Sequence, residues 1–260
     1  MVVTSVGPVS FQIRRGAPVL AGDMVAASHG VRRERELAAV NAAADPSSGR
    51  AVYWTFGDVA RRGDRKRLLD APVTYDLTFM SPRTLGQQLP RTHGHVHASE
   101  GPDGAGFAEV YEVLSGRAGF LMHDLGPGPS VSLGVLVNAE PGDVVAVPPD
   151  VYHATLNLGP TMLVVADLVC RRATDVYVAL RAAGGMAYGL DAAGRVAVNP
   201  RYHRLPPLQR LSVEEWGAGM KDGLYERLLM DPGAFEWLCH RAAFATRFPK
   251  AARWVGSVVD

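Results

Sequence analysis

The chain has 260 residues, enough for one large domain with a sizeable hydrophobic core. Its 27 basic and 26 acidic side chains leave a formal net charge of +1, so we expect neither nucleic acid nor a membrane as a partner. No apolar run approaches the roughly 18 residues of a transmembrane helix and no leader-like segment opens the sequence, which predicts a cytoplasmic protein. Cys170 and Cys239 lie far apart, and this pattern favours two reduced thiols.

Residues 1–50 are predicted to form an extension of strand and helix that packs on the main body of the protein. The alternating run VVTSVGPVSFQI favours a β-strand. The charged run VRRERELAAVNAAA favours a short helix that ends at Asp45 and Pro46, because proline cannot continue a helix.

Residues 51–204 carry short strand-like runs divided by turn residues. The runs are AVYWTF, VTYDLTFM, EVYEVLSG, GRAGFLMHD, SLGVLVNAE, GDVVAVPP and PTMLVVADLV. Many short strands separated by glycine- and proline-rich turns are typical of an antiparallel sandwich or barrel. We therefore predict a mainly β fold with its barrel in this region.

Residues 205–260 have a helical pattern. Ser212 and Glu215 fit a capping box that begins one helix, and AFEWLCHRAAFATRF predicts a second. This segment is expected to be a packing element, a lid or an interaction module.

Two histidines, a glutamate and a later histidine form a candidate metal site. His95 and His97 are two residues apart and would share one face of a strand, where they can occupy adjacent positions on one metal. The glycine-rich link at 98–108 can close a hairpin that brings Glu109 beside them, and His153 follows a pair of prolines. Three imidazoles and one carboxylate suit Fe, Mn, Ni, Zn or Co, with open positions left for a substrate.

The spacing of these residues resembles the two motifs of the cupin superfamily. The first motif is matched by Gly94, His95, His97, Glu109 and Gly116, and the second by Gly142, Pro148, His153 and Asn157. The sequence departs from the motifs at two points. The link before Glu109 is longer than in most cupins, which is tolerable because the entropic cost of closing a loop grows slowly with its length. Asp150 replaces a glycine. The resemblance implies a cupin double-stranded β-helix, a jelly-roll barrel.

Residues 50–204 resemble, more narrowly, the cupin-type phosphoglucose isomerases of archaea and some bacteria. The matching blocks are Thr78, Pro82 and Gly86, then THGHVH at 92–97, AEVY at 108–111, VPP with His153 and Asn157, and VNPRYHR at 198–204. The resemblance implies that Tyr53, Thr78, Thr92 and the backbone at Gly94 hold the substrate phosphate. It matches Glu109 to the metal-binding glutamate and Tyr111 to a tyrosine near the reacting carbons, both candidate catalytic residues, and it retains Tyr177 in the pocket.

Two positions depart from that family. Val169 and Asp175 stand where the isomerases have a tyrosine and a histidine. Each lost polar contact costs about 1 kcal/mol or more if its partner stays buried and unpaired. The departures leave open which sugar phosphate is used.

The implied activity interconverts an aldose phosphate and a ketose phosphate, with glucose 6-phosphate and fructose 6-phosphate or a close relative as substrates. The metal would polarise the oxygens on C1 and C2 while Glu109 moves a proton between these carbons, and a hydride shift fits the same residues. One divalent ion per subunit is expected, with Fe²⁺ favoured and Mn²⁺, Ni²⁺, Zn²⁺ or Co²⁺ as alternatives. The resemblance also implies a homodimer and a place in glycolysis or gluconeogenesis.

Two other classes of function remain open. The same ligands could serve an iron dioxygenase or a lyase, which would not need the pair of threonines. A non-catalytic sugar-binding cupin is the third hypothesis, with residues 205–260 as its interaction module.

Overall fold

The computed structural model describes residues 3–98, 106–126, 128–217 and 223–256. Most of the glycine-rich link before Glu109, residues 99–105, lies outside these ranges. The strands are, in chain order, β1 (Thr4–Val6), β2 (Val9–Arg14), β3 (Ala17–Leu20), β4 (Met24–Val25), β5 (Ser28–Arg33), β6 (Ala51–Gly57), β7 (Ala60–Arg61), β8 (Val73–Met80), β9 (Val96–Ala98), β10 (Glu109–Ser115), β11 (Ala118–His123), β12 (Gly134–Ala139), β13 (Val144–Val147), β14 (Tyr152–Asn157), β15 (Leu163–Cys170), β16 (Thr174–Val176), β17 (Tyr188–Leu190), β18 (Val196–Val198) and β19 (Gln209–Ser212).

The helices are short. They are α1 (Glu34–Leu37), α2 (Arg65–Leu69), α3 (Val178–Ala182), α4 (Val213–Trp216), α5 (Leu224–Met230), α6 (Arg241–Arg247) and α7 (Pro249–Gly256), with a 3₁₀ turn at Glu236–Cys239. Among the residues that the structure describes, no helix has the length and apolar character needed to span a membrane.

Two sheets that face each other form the main body. The larger sheet has the strand order β13-β10-β15-β8-β6-β5 and the smaller one β14-β11-β12-β19, in which β19 runs parallel to β12. The sheets pack directly, since the rings of Tyr111 in β10 and Phe120 in β11 lie 4.9 Å apart between centroids. The prediction of a mainly β, jelly-roll fold is confirmed.

Alternation along the strands gives the larger sheet two different faces. Cross-strand partners lie on the same face, and Tyr111 pairs with Asp167, which pairs with Asp76. We call this side, which is turned toward the smaller sheet, the inner face. The outer face carries the intervening residues of the same strands, such as Val110 and Glu112.

The N-terminal region contributes more strand and less helix than its sequence predicts. Residues 28–33 form β5, which pairs with β6 at the edge of the larger sheet, and the helix covers only Glu34–Leu37. Strand pairing thus overrides the helical pattern of the charged run. The division of the chain at residues 50 and 204 stays a prediction.

The C-terminal helices cover the outer face. The predicted capping box is present, because the Ser212 hydroxyl accepts from the Glu215 N–H while the Glu215 carboxylate accepts from the Ser212 N–H. The indole of Trp216 donates to the Ala146 carbonyl at 2.8 Å, and the Leu224 N–H donates to the Glu112 carboxylate at 2.8 Å. The second predicted helix is broken at His240, between the 3₁₀ turn and α6.

The prediction of two reduced thiols is wrong. Cys170 and Cys239 form a disulfide whose Cα atoms lie 5.1 Å apart across 69 positions of sequence. Cys170 ends β15 on the outer face, since it pairs with Val73, and the 3₁₀ turn packs against β15. Sequence separation alone could not reveal this contact, because it depends on where the C-terminal segment docks.

Candidate active site

A cavity of about 370 Å³ lies against the inner face of the larger sheet. Its wall follows the register of the strands, in which Thr78 of β8 pairs with Thr55 of β6, and Thr55 pairs with Gly30 of β5. Asp76 and Asp167 continue the wall on β8 and β15. The inner face is therefore polar along this part of the sheet.

Four side chains meet at one side of this cavity. His95, His97, Glu109 and His153 each offer a ligand atom, and these atoms all lie within 4.8 Å of one another. The Nε2 atoms of His95 and His97 are 3.0 Å apart. Glu109 Oε2 lies 2.8 Å from His153 Nε2 and 3.8 Å from His97 Nε2.

Backbone pairing explains how residues so distant in sequence converge. His95 and His153 exchange two backbone hydrogen bonds, of 3.1 and 2.9 Å, so their rings lie side by side. Gly94 makes this approach possible at a φ of +81°, where a Cβ would lie 2.9 Å from the Met186 sulfur. Glu109 enters from the first position of β10, on the facing sheet.

A hydrogen bond at Nδ1 of His153 leaves the other nitrogen of that ring free to bind a metal. His153 Nδ1 lies 3.1 Å from the Val151 carbonyl, and Phe107 accepts a hydrogen bond from His97 through its backbone. A backbone carbonyl at Nδ1 fixes the tautomer in which Nε2 carries the lone pair.

Burial sets the protonation of the cluster. It lowers the pKa of His97 to about 3 and the pKa values of His95 and His153 below their usual range, so all three rings are neutral at pH 7. Burial also raises the pKa of Glu109 to about 8.

The cluster fits a divalent metal. Glu109 Oε2 and His153 Nε2 are buried and, among the residues that the structure describes, have no hydrogen-bond partner, although they lie close together. A cation among the four atoms would satisfy both and would favour the ionised carboxylate. Neutral imidazoles are the form that a metal requires. The residues can hold a metal, and the ligand set accepts several ions.

The structure places the remaining predicted site residues around the same cavity. Tyr53, Thr78, Thr92, Gly94, Tyr111 and Tyr177 all line it. The Tyr53 hydroxyl accepts from the His93 N–H at 3.3 Å, and the Thr92 hydroxyl accepts from the Thr155 N–H at 3.0 Å. Tyr111 and Asp167 hydrogen-bond to the Glu109 carboxyl.

Arg32 is a cavity residue that the sequence did not indicate. It lies on β5 directly opposite Tyr53 of β6, to which its side chain is hydrogen-bonded. The run around Arg32 has a helical pattern, so nothing in the sequence indicated that this segment would pair as a strand. Asp76 was within reach of prediction, because it alternates with Thr78 on β8.

Val169 and Asp175 are both in the cavity wall. Val169 pairs with Glu109, and Asp175 pairs with His97. The two departures from the isomerase pattern therefore lie next to the cluster of three histidines and one glutamate.

A family model described as glucose-6-phosphate isomerase (GPI) matches residues 31–207. Among individual relatives, the glucose-6-phosphate isomerase of Thermococcus gammatolerans is 29% identical over 135 residues, which cover 51% of this chain and 66% of that protein. The Pyrococcus furiosus enzyme is 28% identical over 138 residues, covering 52% and 67%. The match to the first of these thus spans just under two thirds of the relative's length.

Solved structures with some likeness include oxalate decarboxylases. One from Bacillus subtilis is 18% identical with a TM-score of 0.34, covering 48% of this chain and 27% of that one. One from Lactobacillus farciminis is 16% identical with a TM-score of 0.33, covering 42% and 27%. These values are too low to support an argument about function. The family match, in contrast, covers more than half of the sequence, and the chain belongs to the glucose-6-phosphate isomerase (GPI) family.

Proposed function

We propose that this protein is a metal-dependent aldose–ketose isomerase that acts on a sugar phosphate, with glucose 6-phosphate and fructose 6-phosphate as the first candidates. One observation carries the proposal: a cluster of three imidazoles and one carboxylate faces the same cavity as Arg32, Tyr53 and Thr78. Membership of the family supports the reaction class.

The phosphate would bind at the Arg32 side of the cavity. The Arg32 guanidinium supplies positive charge there, and the hydroxyls of Tyr53, Thr78 and Thr92 supply hydrogen bonds. The backbone at Gly94 borders the same space. This arrangement needs no lysine.

His95, His97, Glu109 and His153 would hold the metal. When bound, a divalent ion polarises the oxygens on C1 and C2 and stabilises the negative charge of an enediolate.

Glu109 is the candidate base of the reaction. Its carboxyl is buried and hydrogen-bonded to Tyr111 and Asp167, which orient it in the cavity. It would take the proton from one carbon and return it to the other. A hydride shift between C1 and C2 remains the second route, and transfer of deuterium from solvent into the product distinguishes the two.

Four finer statements belong to the proposal, of which the cytoplasmic location comes from the sequence and the other three rest on the family resemblance. They are Fe²⁺ as the native ion, a homodimer, a cytoplasmic location and a place in glycolysis or gluconeogenesis. Metal analysis of purified protein and its mass in solution test the first two.

The test is a coupled isomerase assay on protein stripped with a chelator and reloaded with Fe²⁺ or Mn²⁺. The chelated protein and the His153→Ala variant are expected to be inactive, and reloading is expected to restore only the wild type. His240→Ala is the matched control, because His240 is 59% exposed and lies outside the cluster.

Absence of turnover in protein holding one equivalent of metal would contradict the glucose 6-phosphate assignment. Other sugar phosphates are then assayed. Oxygen consumption would indicate a dioxygenase, and binding of sugar phosphate without any turnover would indicate a binding protein.

A further inference from the structure

We propose that Asp175 is a fifth protein ligand of the metal, so that three imidazoles and two carboxylates form the centre. This inference rests on the proposed metal site and goes beyond it, because Asp175 stands outside the four-residue cluster and outside the isomerase pattern.

The backbone places Asp175 next to the cluster. Strand β16 pairs with β9 in the register that sets Asp175 opposite His97. Directly opposed residues in an antiparallel pair project to the same face, with Cβ atoms about 4.5–5.5 Å apart. The Asp175 carboxylate is thus directed to the side on which His97 offers its ligand nitrogen.

The distances from Asp175 to two of the three imidazoles are those between ligands of a shared ion. Asp175 Oδ1 lies 3.6 Å from His95 Nε2 and 3.5 Å from His97 Nε2. Both are too long for a good hydrogen bond. Two ligands at about 2.1 Å from one metal are about 3.0–3.6 Å apart when they subtend about 90–115° at it. The Nε2 atoms of His95 and His97, at 3.0 Å, fall in the same interval.

Tyr177 holds the carboxylate in this orientation. Its hydroxyl donates to Asp175 Oδ2 at 2.6 Å, which leaves Oδ1 facing the two imidazoles. This is the outer hydrogen bond that ligating carboxylates in metal sites receive.

A second carboxylate changes the chemistry of the centre. Together with Glu109 it would balance both charges of a divalent ion, and it would occupy one position that the substrate could otherwise use. Carboxylate ligands suit Mn²⁺ and similar hard ions, whereas imidazole suits Zn²⁺ and Ni²⁺. Asp175 is therefore expected to raise the preference for Mn²⁺ over Zn²⁺.

The experiment measures metal binding and needs no turnover. Full-length protein is stripped of metal, and Mn²⁺ affinity is measured from the electron paramagnetic resonance signal of the free ion. Zn²⁺ affinity follows by competition, and the visible spectrum of the Co²⁺ form reports the coordination. The variants are Asp175→Asn, Asp175→His and Tyr177→Phe, with Asp23→Asn, at an exposed turn, as the matched control.

Asp175→Asn is expected to weaken Mn²⁺ binding about tenfold or more and to change the Co²⁺ spectrum, with a smaller loss in Tyr177→Phe and none in Asp23→Asn. Asp175→His is expected to shift the preference toward Zn²⁺, which a merely unfolded variant would not do. Unchanged Mn²⁺ affinity and Co²⁺ spectrum in Asp175→Asn would overturn the inference while the wild-type site stands. Failure of the wild type to bind metal would overturn both this inference and the proposed function.

Discussion

The two faces of the larger sheet come from the same strands and have opposite chemistry. On β10, Glu109 and Tyr111 project into the cavity, while Val110 and Glu112 project to the outer face. The C-terminal helices and a disulfide cover the outer face. There the buried carboxylate of Glu112 accepts a hydrogen bond from the Leu224 N–H. The inner face keeps two more acids, Asp76 and Asp167, where burial raises their pKa values.

This difference indicates where stability and function reside. Buried acids with raised pKa values destabilise the folded state at neutral pH, and such groups concentrate at functional sites. The covered outer face supplies the packing that offsets them. Four predictions test this division, from the largest expected effect to the smallest.

Replacing the glutamate on the inner face of β10 should lower kcat, whereas replacing the glutamate on its outer face should not. Glu109→Gln removes the candidate base and is expected to lower kcat by about 10²- to 10⁴-fold. Glu112→Gln keeps an acceptor for the Leu224 N–H and should leave kcat unchanged. Isomerase kinetics on metal-loaded proteins measure both, and equal losses in the two variants would show that burial alone accounts for the effect.

Removing the disulfide should reduce stability and spare the cavity. Cys170→Ala together with Cys239→Ala frees a loop closed across 69 positions, and the free energy of unfolding is expected to fall by about 2–4 kcal/mol. Denaturant unfolding measures the loss, with reduced wild-type protein as a control. A loss of metal affinity in the double variant would contradict the separation of the two faces.

The Asp76 carboxyl should make stability depend on pH. Burial raises its pKa from 3.8 to about 6 in the folded protein. The folded state therefore binds the proton more tightly, and this contribution to stability is complete below about pH 4 and is lost as pH rises through about 6. Asp76→Asn removes the dependence and should be about 2–3 kcal/mol more stable than wild type at pH 8.

Unfolding curves at pH 5 and pH 8 measure this difference between the two proteins. The amide can still accept the Asp58 N–H that Asp76 binds at 2.7 Å, so the fold is retained. An equal change in stability between pH 5 and pH 8 in both proteins would contradict the assignment.

Loss of the Arg32 side chain should weaken substrate binding more than catalysis. Arg32→Met removes a charged hydrogen-bond donor worth about 1.5–3 kcal/mol, so KM is expected to rise about 10- to 100-fold with a smaller change in kcat. Arg35→Met, at an exposed neighbouring position, is the matched control. Sugar phosphates and the corresponding free sugars are compared, and an equal effect on both would exclude a phosphate contact.

The sequence predicts the local features of this molecule well. The run VTYDLTFM coincides with β8. Strand spacing and the resemblance to the cupin motifs together selected four residues whose ligand atoms the fold brings close to one another. These predictions succeed because each depends on the geometry of one strand or of a short motif.

The missed features depend on contacts between distant segments. Arg32 reaches the cavity because β5 pairs with β6, against the helical pattern of its own sequence. Cys170 meets Cys239 because the C-terminal segment docks on the outer face. Asp167 joins Glu109 through the register of β10 and β15, which no single strand reveals.

The central claim is that a metal and a sugar phosphate bind in the same inner-face cavity. Its most direct test is the ³¹P resonance of fructose 6-phosphate added to Mn²⁺-loaded protein, with His153→Ala as the control. The account predicts strong paramagnetic broadening of this resonance by the wild-type protein. Glucose 6-phosphate should relieve the broadening by competing for the cavity, and His153→Ala should cause none. An unbroadened resonance in the presence of wild-type protein holding one equivalent of Mn²⁺ would contradict it.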